Sequence, residues 1–504
     1  MGARTVRPPL RPRPPPSPAR PALALAAALG VASPARAFDA EVTATSAAQA
    51  YALRSPFGEP LLFRQRLTQT LGLELFRLLP DEKPGGPELF VKLRLRLDHD
   101  FGLRGSETTF NRADALSRYV PGLGDAPLDL MYGYVEGRRL AGGWLGFRAG
   151  RQYVVDPLGW WSFDGGLVRA GAPWLFAELY GGYEQRGGLP LSLGRYERDG
   201  VWRGDRSTAL AGQPDVFPSF LEAASAPAWG AALEGGQGTW LHARASYRKV
   251  WNRGEVVTRP FALPDGTFAT VDEARTSSER AGAALDATWA ERGAVRAGAV
   301  YDLYNALLAS HFASLDAYLG DRLTATLEYD YYRPTFDGDS IWNWFTHSPI
   351  TTVDARAAWS PLSALDLAAT LGARRWASEG GEGSAGPLVD AVSSVDLRAR
   401  LNGSALGARA VGEWGERGRR QGLDLFGQRD LDGGKYFVLA RTSFYAWRDD
   451  LRPERSAGSI GYVLGGGWRP AAHADARIEW EHNANRLVGQ RYRIVALLNL
   501  WVSK

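Results

Sequence analysis

The stretch Leu89–Asp98 reads LFVKLRLRLD. Leu89, Val91, Leu93, Leu95 and Leu97 take the odd places; Lys92, Arg94, Arg96 and Asp98 take even ones. A period of two puts these sets on opposite faces of a β-strand. One face is aliphatic and the other fully charged. In a soluble sheet the apolar face would meet a core. In an outer-membrane barrel it meets lipid, and the charged face lines the lumen.

Recurrence of the pattern decides between the two. Leu67, Leu71, Leu73 and Leu75 oppose Arg64, Arg66, Thr68, Thr70 and Glu74. Leu241, Ala243, Ala245 and Tyr247 oppose His242, Arg244, Ser246 and Arg248. Leu323, Ala325, Leu327, Tyr329 and Tyr331 oppose Thr324, Thr326, Glu328 and Asp330. Val395, Leu397, Ala399 and Leu401 oppose Asp396, Arg398, Arg400 and Asn402. Tyr492, Ile494, Ala496, Leu498 and Leu500 carry the rhythm to the end of the chain.

The spacing predicts paired strands around short turns, such as Leu128–Arg138 with Trp144–Tyr153 and Ala228–Gly235 with Trp240–Trp251. Long connections alternate with these. They are Phe101–Pro127, Gln185–Pro227, Asn252–Glu279, Arg333–Ile350, Ala377–Ala391 and Gly415–Lys435. Tight turns at one end and loops at the other are the disposition of outer-membrane barrels, turns in the periplasm and loops outside. The expected fold is all-β, a single transmembrane antiparallel β-barrel of about 18 strands, within a range of roughly 16–22. Trp144, Trp160, Trp161, Trp251, Trp342, Trp344, Trp376, Trp447 and Trp480 sit near predicted strand ends, as interfacial girdles would.

Composition fits this picture. Past the N-terminus no 18-residue apolar run occurs, which argues against spanning helices. Cysteine is absent, which excludes disulfides, thiolate chemistry and Cys-ligated metal and suits an oxidising periplasm. Met1–Ala37 reads as a secretory signal: a basic Arg-rich start, an Ala/Leu core at Pro21–Ala32, and Ala35-Arg36-Ala37 as an A-x-A cleavage site. The barrel would then occupy 38–504. The signal holds six arginines and no acid, so 53 basic residues face 55 acidic ones in the mature chain, a net charge of −2. The basic isoelectric point of the whole chain is therefore no sign of nucleic-acid binding.

The most specific local pattern is Gly150-Arg151-Gln152 followed by Trp160-Trp161-Ser162-Phe163-Asp164-Gly165. "GRQ", a short loop and "W…FDG" resemble the alginate-export family of outer-membrane barrels. That resemblance implies a barrel of about 18 strands with an arginine-rich lumen that carries anionic polysaccharide or small anionic solutes. It makes Arg148, Arg151 and Gln152 pore-lining, with Asp164 a partner for one arginine. Alternation alone puts Arg148 and Arg151 on opposite faces unless a bulge intervenes. A second cluster, from Glu328 through Asp330 to Asn343, runs from a strand into what looks like a folded loop. The chain ends Trp501-Val502-Ser503-Lys504 rather than on an aromatic residue.

The candidate lumen set is Arg64, Arg66, Lys92, Arg94, Arg96, Arg244, Arg248, Arg374, Arg398, Arg400, Arg441 and Arg477. Against it stand Asp98, Glu178, Glu234, Glu328, Asp330, Asp396, Glu413, Glu479 and Glu481. Such a lumen would lower the barrier for carboxylated sugars. A ladder of ion pairs that braces the wall, without selectivity, uses the same residues equally well. Six histidines show no ligand spacing, so no metal is expected. Asp337–Asp339 reads as a solvated turn rather than a Ca²⁺ site. No base stands beside a nucleophile in the pattern, and no phosphate loop occurs; neither enzyme activity nor a cofactor is expected.

The leading expectation is export of an anionic polysaccharide across the bacterial outer membrane, reached by signal-directed secretion. Partners would be outer-membrane lipid, the polysaccharide or a small anionic solute, and a periplasmic polysaccharide-export protein or inner-membrane machine, with no nucleic acid. The alternatives are a general or substrate-selective uptake porin and a structural or motility-associated surface barrel.

Overall fold

The computed structural model describes residues 38–79, 85–100, 128–172, 174–185, 226–236, 238, 240–252, 256–262, 268–271, 275–290, 292–335, 348–377, 388–416, 418–450, 452–487 and 489–503. The expected signal, Met1–Ala37, lies outside these residues, as does the second half of the Glu328–Asn343 cluster, 336–343, with Asp337–Asp339 in it.

The strands in order are β1 (Asp39–Arg54), β2 (Pro60–Phe76), β3 (Glu88–Asp100), β4 (Leu128–Leu140), β5 (Leu145–Asp156), β6 (Gly159–Ala172), β7 (Leu175–Glu184), β8 (Pro227–Gly235) and β9 (Leu241–Asn252). A small hairpin, β10 (Val256–Ala262) with β11 (Phe268–Val271), stands apart from the wall. The wall resumes with β12 (Arg275–Trp289), β13 (Gly293–Asp302), β14 (Leu307–Tyr318), β15 (Leu323–Tyr332), β16 (Ile350–Leu362), β17 (Leu365–Trp376) and β18 (Leu388–Leu401). It ends with β19 (Ser404–Gly415), β20 (Gly418–Leu431), β21 (Tyr436–Asp449), β22 (Ala457–Ala471), β23 (Ala474–Asn485) and β24 (Gly489–Ser503).

Each wall strand pairs antiparallel with its neighbours in sequence, and β24 returns to β1 from Glu41↔Ser503 to Arg54↔Gln490. The result is a closed barrel of 22 strands, so the backbone has no free sheet edge for lipid to meet at closure. The expected 18 strands is corrected to 22. One strand had been read as a loop: Gly415–Lys435 contains β20, whose charged opening Arg419-Arg420-Gln421 hides the alternation of Leu423 and Leu425 with Asp424 and Phe426. The loop expected before Trp160 is only a turn at 157–158, and Trp160–Phe163 belong to β6.

An even strand number brings both ends of the described chain to one rim. The connections there include 141–144, 173–174, 236–240, 290–292, 319–322, 363–364, 402–403, 432–435 and 472–473, with 77–87 the long exception. The opposite rim carries five long connections, 101–127, 185–226, 253–274, 333–349 and 377–387, and six short ones, 55–59, 157–158, 303–306, 416–417, 450–456 and 486–488. This is the expected outer-membrane asymmetry of turns and loops.

The outer face is apolar. Leu71, Leu73 and Leu75 pair with Leu95, Leu93 and Val91, and Leu179, Leu233, Leu327, Leu371, Val395, Leu464, Ile478 and Ile494 stand exposed. Exposed aromatics form two belts. Trp144, Trp174, Trp240, Trp289, Trp359, Tyr436 and Trp468 ring the short-turn rim; Tyr183, Trp229, Tyr301, Trp414 and Trp480 lie toward the loops. Such belts anchor a barrel at the two membrane interfaces. Trp161 and Trp376 had been assigned to girdles, but they turn inward and donate to Glu184 (2.5 Å) and Asp390 (2.6 Å). The chain is an outer-membrane β-barrel.

Candidate functional site

The inward face follows from the alternation. Lys92, Arg94 and Arg96 project inward from β3, with Lys92 paired to Glu74 at 2.8 Å and Arg94 donating to Thr70 Oγ1 at 3.4 Å. Arg66 lies inward on β2. Arg64 takes its register opposite Tyr51, and its side chain lies outside the described set. Arg398 and Arg400 are inward on β18, where Arg400 pairs with Asp366 at 2.7 Å. Glu328 and Asp330 are inward and exposed on β15, and Glu328 stands opposite Asp354 of β16. Arg148 and Gln152 are inward on β5. Arg148 pairs with Glu136 at 3.0 Å, and fully buried Gln152 donates to Gly165 O at 2.8 Å.

Two pore assignments are corrected. Arg151 and Asp164 face outward. Arg151 pairs with Gly133 on the face that carries exposed Val135 of β4 and Leu145 of β5, while the inward residues of β6 are Trp161, Phe163 and Leu167. No bulge intervenes between Arg148 and Arg151, so simple alternation holds. Asp164 is a partner for one arginine, and that arginine is Arg151.

Inward side chains of β4–β7 and β9 line a half-open pocket of about 570 Å³. Arg138, Arg148, Arg169 and Arg244 line it with Glu136, Glu178 and an apolar floor of Leu167 and Phe176. Glu136 holds both Arg138 (2.8 Å) and Arg148 (3.0 Å). Arg244 bridges Glu178 (2.6 Å) and Glu234 (2.7 Å), and Arg169 reaches Glu234 at 3.3 Å over the Phe176 ring. The sequence reading missed Arg138, Arg169 and Glu136. Glu136 and Arg138, two apart on a strand, share a face, which was the available signal.

The lumen ion pairs share one geometry. Arg138 is 45% exposed over Glu136 at 9%, Arg296 50% over Asp316 at 15%, and Arg491 50% over Glu481 at 12%. Arg493–Glu481, Arg374–Glu413, Arg409–Asp396 and Arg400–Asp366 follow the same order; Lys92–Glu74 reverses it. Both partners start from one wall, but arginine's longer stem carries its charge farther toward the axis. A lumen balanced in charge thus shows guanidinium groups to a passing solute, with the carboxylates beneath. Glu328, Asp330 and Asp354 lie together on the inward face of β15–β16, with Arg356 two positions from Asp354 on that face.

The roof of the cavity comes from the wall itself. A row of glycines, Gly150, Gly165 and Gly182, runs straight across β5, β6 and β7. Gly150 has φ +128°, and a Cβ on Gly165 would lie 2.1 Å from Gly181 O. Only glycine permits this backbone approach, and the sheet creases there. Beyond the crease the β4–β5 pairing stops at Gly133↔Arg151 and the β6–β7 pairing at Phe163↔Glu184. The remaining hairpin, Gln152–Ser162, bends into the lumen. Arg148 Nη1 donates to Tyr153 O at 3.0 Å, although five residues of straight strand would separate the two by roughly 16 Å. At the tip, Leu158 lies against Gly282 of β12 and its carbonyl accepts from Arg248 (3.3 Å). Tyr153, Val154 and Val155 thereby cover the arginine-lined cavity. Among the described residues no cluster of side chains could hold a metal ion.

No family model and no curated protein matches this sequence. Solved structures similar to it include Acinetobacter baumannii OccAB2, at TM-score 0.42 and 8% identity over 92% of this chain and 98% of that one. A BenF-like porin from Pseudomonas fluorescens Pf-5 gives TM-score 0.43 and 10% identity over 93% and 99% of the two chains. Pseudomonas aeruginosa OccK2 (OpdF) in complex with glucuronate gives 0.40 and 11% over 92% and 98%. The alginate-export resemblance is withdrawn: no family model carries it, the wall has 22 strands, and the residues that suggested it form the crease.

Proposed function

We propose that this barrel is a substrate-selective uptake porin for small anionic solutes, working in the outer membrane after removal of residues 1–37. The observation that carries the reading is the order of charges in the lumen: guanidinium groups toward the axis, carboxylates toward the wall. A carboxylate drawn in meets arginine donors held in place by the acids beneath them, with an apolar floor for the rest of the solute. A pocket of about 570 Å³ on the lumen wall has room for one small solute, and the reading takes uptake over polysaccharide export on that ground. Arg66, Lys92, Arg94, Arg96, Arg148, Arg398 and Arg400 take the pore-lining role in this reading.

The experiment is reconstitution in planar bilayers and proteoliposomes. Reversal potentials under a KCl gradient should show anion preference. Glucuronate should enter proteoliposomes faster than a neutral sugar of equal size, and the Arg138→Gln/Arg169→Gln double variant should remove most of that advantage. Equal entry of the two sugars into wild-type vesicles would favour a structural barrel instead.

A further inference from the structure

On the outer face, near the loop rim, β21–β24 and β1 carry a row of residues each opposite the next: Phe444, Ile460, Ala484, Gln490 and Arg54. The next row toward the membrane is Tyr462, His482 and Tyr492. There the His482 ring stacks on Tyr492 at 4.3 Å, and its Nδ1 lies 2.7 Å from Tyr462 Oη. Below that row stand Leu464, Trp480 and Ile494, all exposed. Trp480 belongs to the aromatic belt, and Ala484 lies four residues of strand beyond it, roughly 13 Å. Aromatic belts sit at headgroup level, so the upper row meets headgroups rather than lipid tails.

The upper row is hollow. Pro56, Phe444, Ala446, Ile460, Ala484 and Arg486 line an open groove of about 620 Å³. Three short turns meet around it. A Cβ on Gly489 would lie 2.1 Å from Arg54 O, so the turns 486–488 and 55–59 touch. Arg486 Nη2 donates to Glu454 O at 2.9 Å and to Ser456 O, both in turn 450–456. Arg54 Nη1 donates to Gly58 O at 3.3 Å. Both guanidinium groups are exposed, and among the described residues neither makes an ion pair. The arginines beside them differ: Arg448 pairs with Asp450 and Arg452 with Asp449.

We propose that this groove is a specific site for a phosphorylated glycolipid of the outer leaflet. Its phosphate is held by Arg54 and Arg486, and its acyl chains descend over Ile460 and the Tyr462–Tyr492 shelf onto Leu464 and Ile494. The argument is charge complementarity. Backbone carbonyls fix the two cations without neutralising them, and most of the five donors on each guanidinium stay available to an anion. A zwitterionic phospholipid brings its own ammonium group and gains less. The groove lies outside the lumen, so the inference uses the outer-membrane location and not the uptake reading.

The test is native mass spectrometry of the full barrel in detergent, with diphosphorylated lipid A, phosphatidylglycerol or phosphatidylethanolamine added at equal concentration. Lipid A should stay bound at several-fold higher occupancy than either phospholipid. Arg54→Gln/Arg486→Gln should weaken its binding by about five-fold for each charge removed. Ala484→Trp, which fills the groove and keeps both arginines, should lower the occupancy as well. Arg375→Gln, outward at the same rim on β17 and away from the groove, should bind as wild type does. A heat-modifiable band and an unchanged KCl reversal potential show that each variant is folded with its lumen intact. Equal retention of the three lipids, or equal losses in Arg375→Gln and Arg54→Gln/Arg486→Gln, would overturn the site and leave the porin reading standing. Phosphatidylglycerol held as well as lipid A would overturn the glycolipid as its occupant.

Discussion

Arg151 and Asp164 face one another across the β5–β6 pair on the lipid side of the wall, joined by two hydrogen bonds of 2.7 and 2.9 Å. A third bond, from Arg151 Nη1 to Leu130 O at 3.0 Å, ties the pair to β4 just above the last β4–β5 ladder position. The fork clamps three strands where their ladder ends. Asp164→Asn should therefore lower the temperature at which the barrel loses its heat-modifiable band on electrophoresis. The expected cost is about 1–3 kcal/mol for an arginine robbed of its charge partner. Its reversal potential in KCl should match wild type, since the pair does not face the lumen.

Gly165→Ala and Gly166→Ala should part company. A Cβ on Gly165 meets Gly181 O at 2.1 Å, whereas the nearest atom to one on Gly166 is Arg148 O at 3.9 Å. The first should cost more than about 1 kcal/mol and lower the folded yield; the second should stay within roughly 0.5 kcal/mol of wild type. Refolding into detergent, scored by urea titration, checks both.

Arg491 and Arg493 stand over the half-buried Glu481. Neutralising both as glutamine should move the KCl reversal potential toward cation preference. The shift should shrink between 0.1 M and 1 M salt, as the screening length falls from about 10 Å to about 3 Å. Glu481→Gln should move it the opposite way, and less, because that carboxylate is screened from the axis by the arginines it holds.

Leu371 and Thr370 are neighbours on β17, outward and inward. Leu371→Arg places a charge against lipid and should cost about 2–4 kcal/mol if it lies near mid-membrane. Thr370→Arg should fold normally and strengthen anion preference. Folded yield and reversal potential separate the two.

How far the sequence reaches is clear from these residues. That Lys92, Arg94 and Arg96 share a face opposite Leu93 and Leu95 was legible because alternation is a property of one strand's backbone; which of Arg148 and Arg151 faces inward was not. The aliphatic face, the asymmetry of turns and loops, and the inward arginines all followed from that. Strand number was less legible, since β20 opens with charges that mask its rhythm. The motif Gly150–Gly165 was visible as a pattern, but its meaning was not. Its glycines matter through atoms on other strands, Gly133 O and Gly181 O.

The order of apolar and polar positions by itself determined that this chain forms a β-wall with one greasy and one charged side, because side chains of an extended backbone alternate with no help from elsewhere. Tertiary structure alone decided closure at 22 strands, the inward fold of Gln152–Ser162 and the pairing of arginines with acids. Arg244 and Glu178 lie 66 residues apart and meet at 2.6 Å only once the registers of three strands are set. That geometry also leaves the guanidinium the more exposed partner in most of these pairs, the order of charges on which the proposed anion path rests.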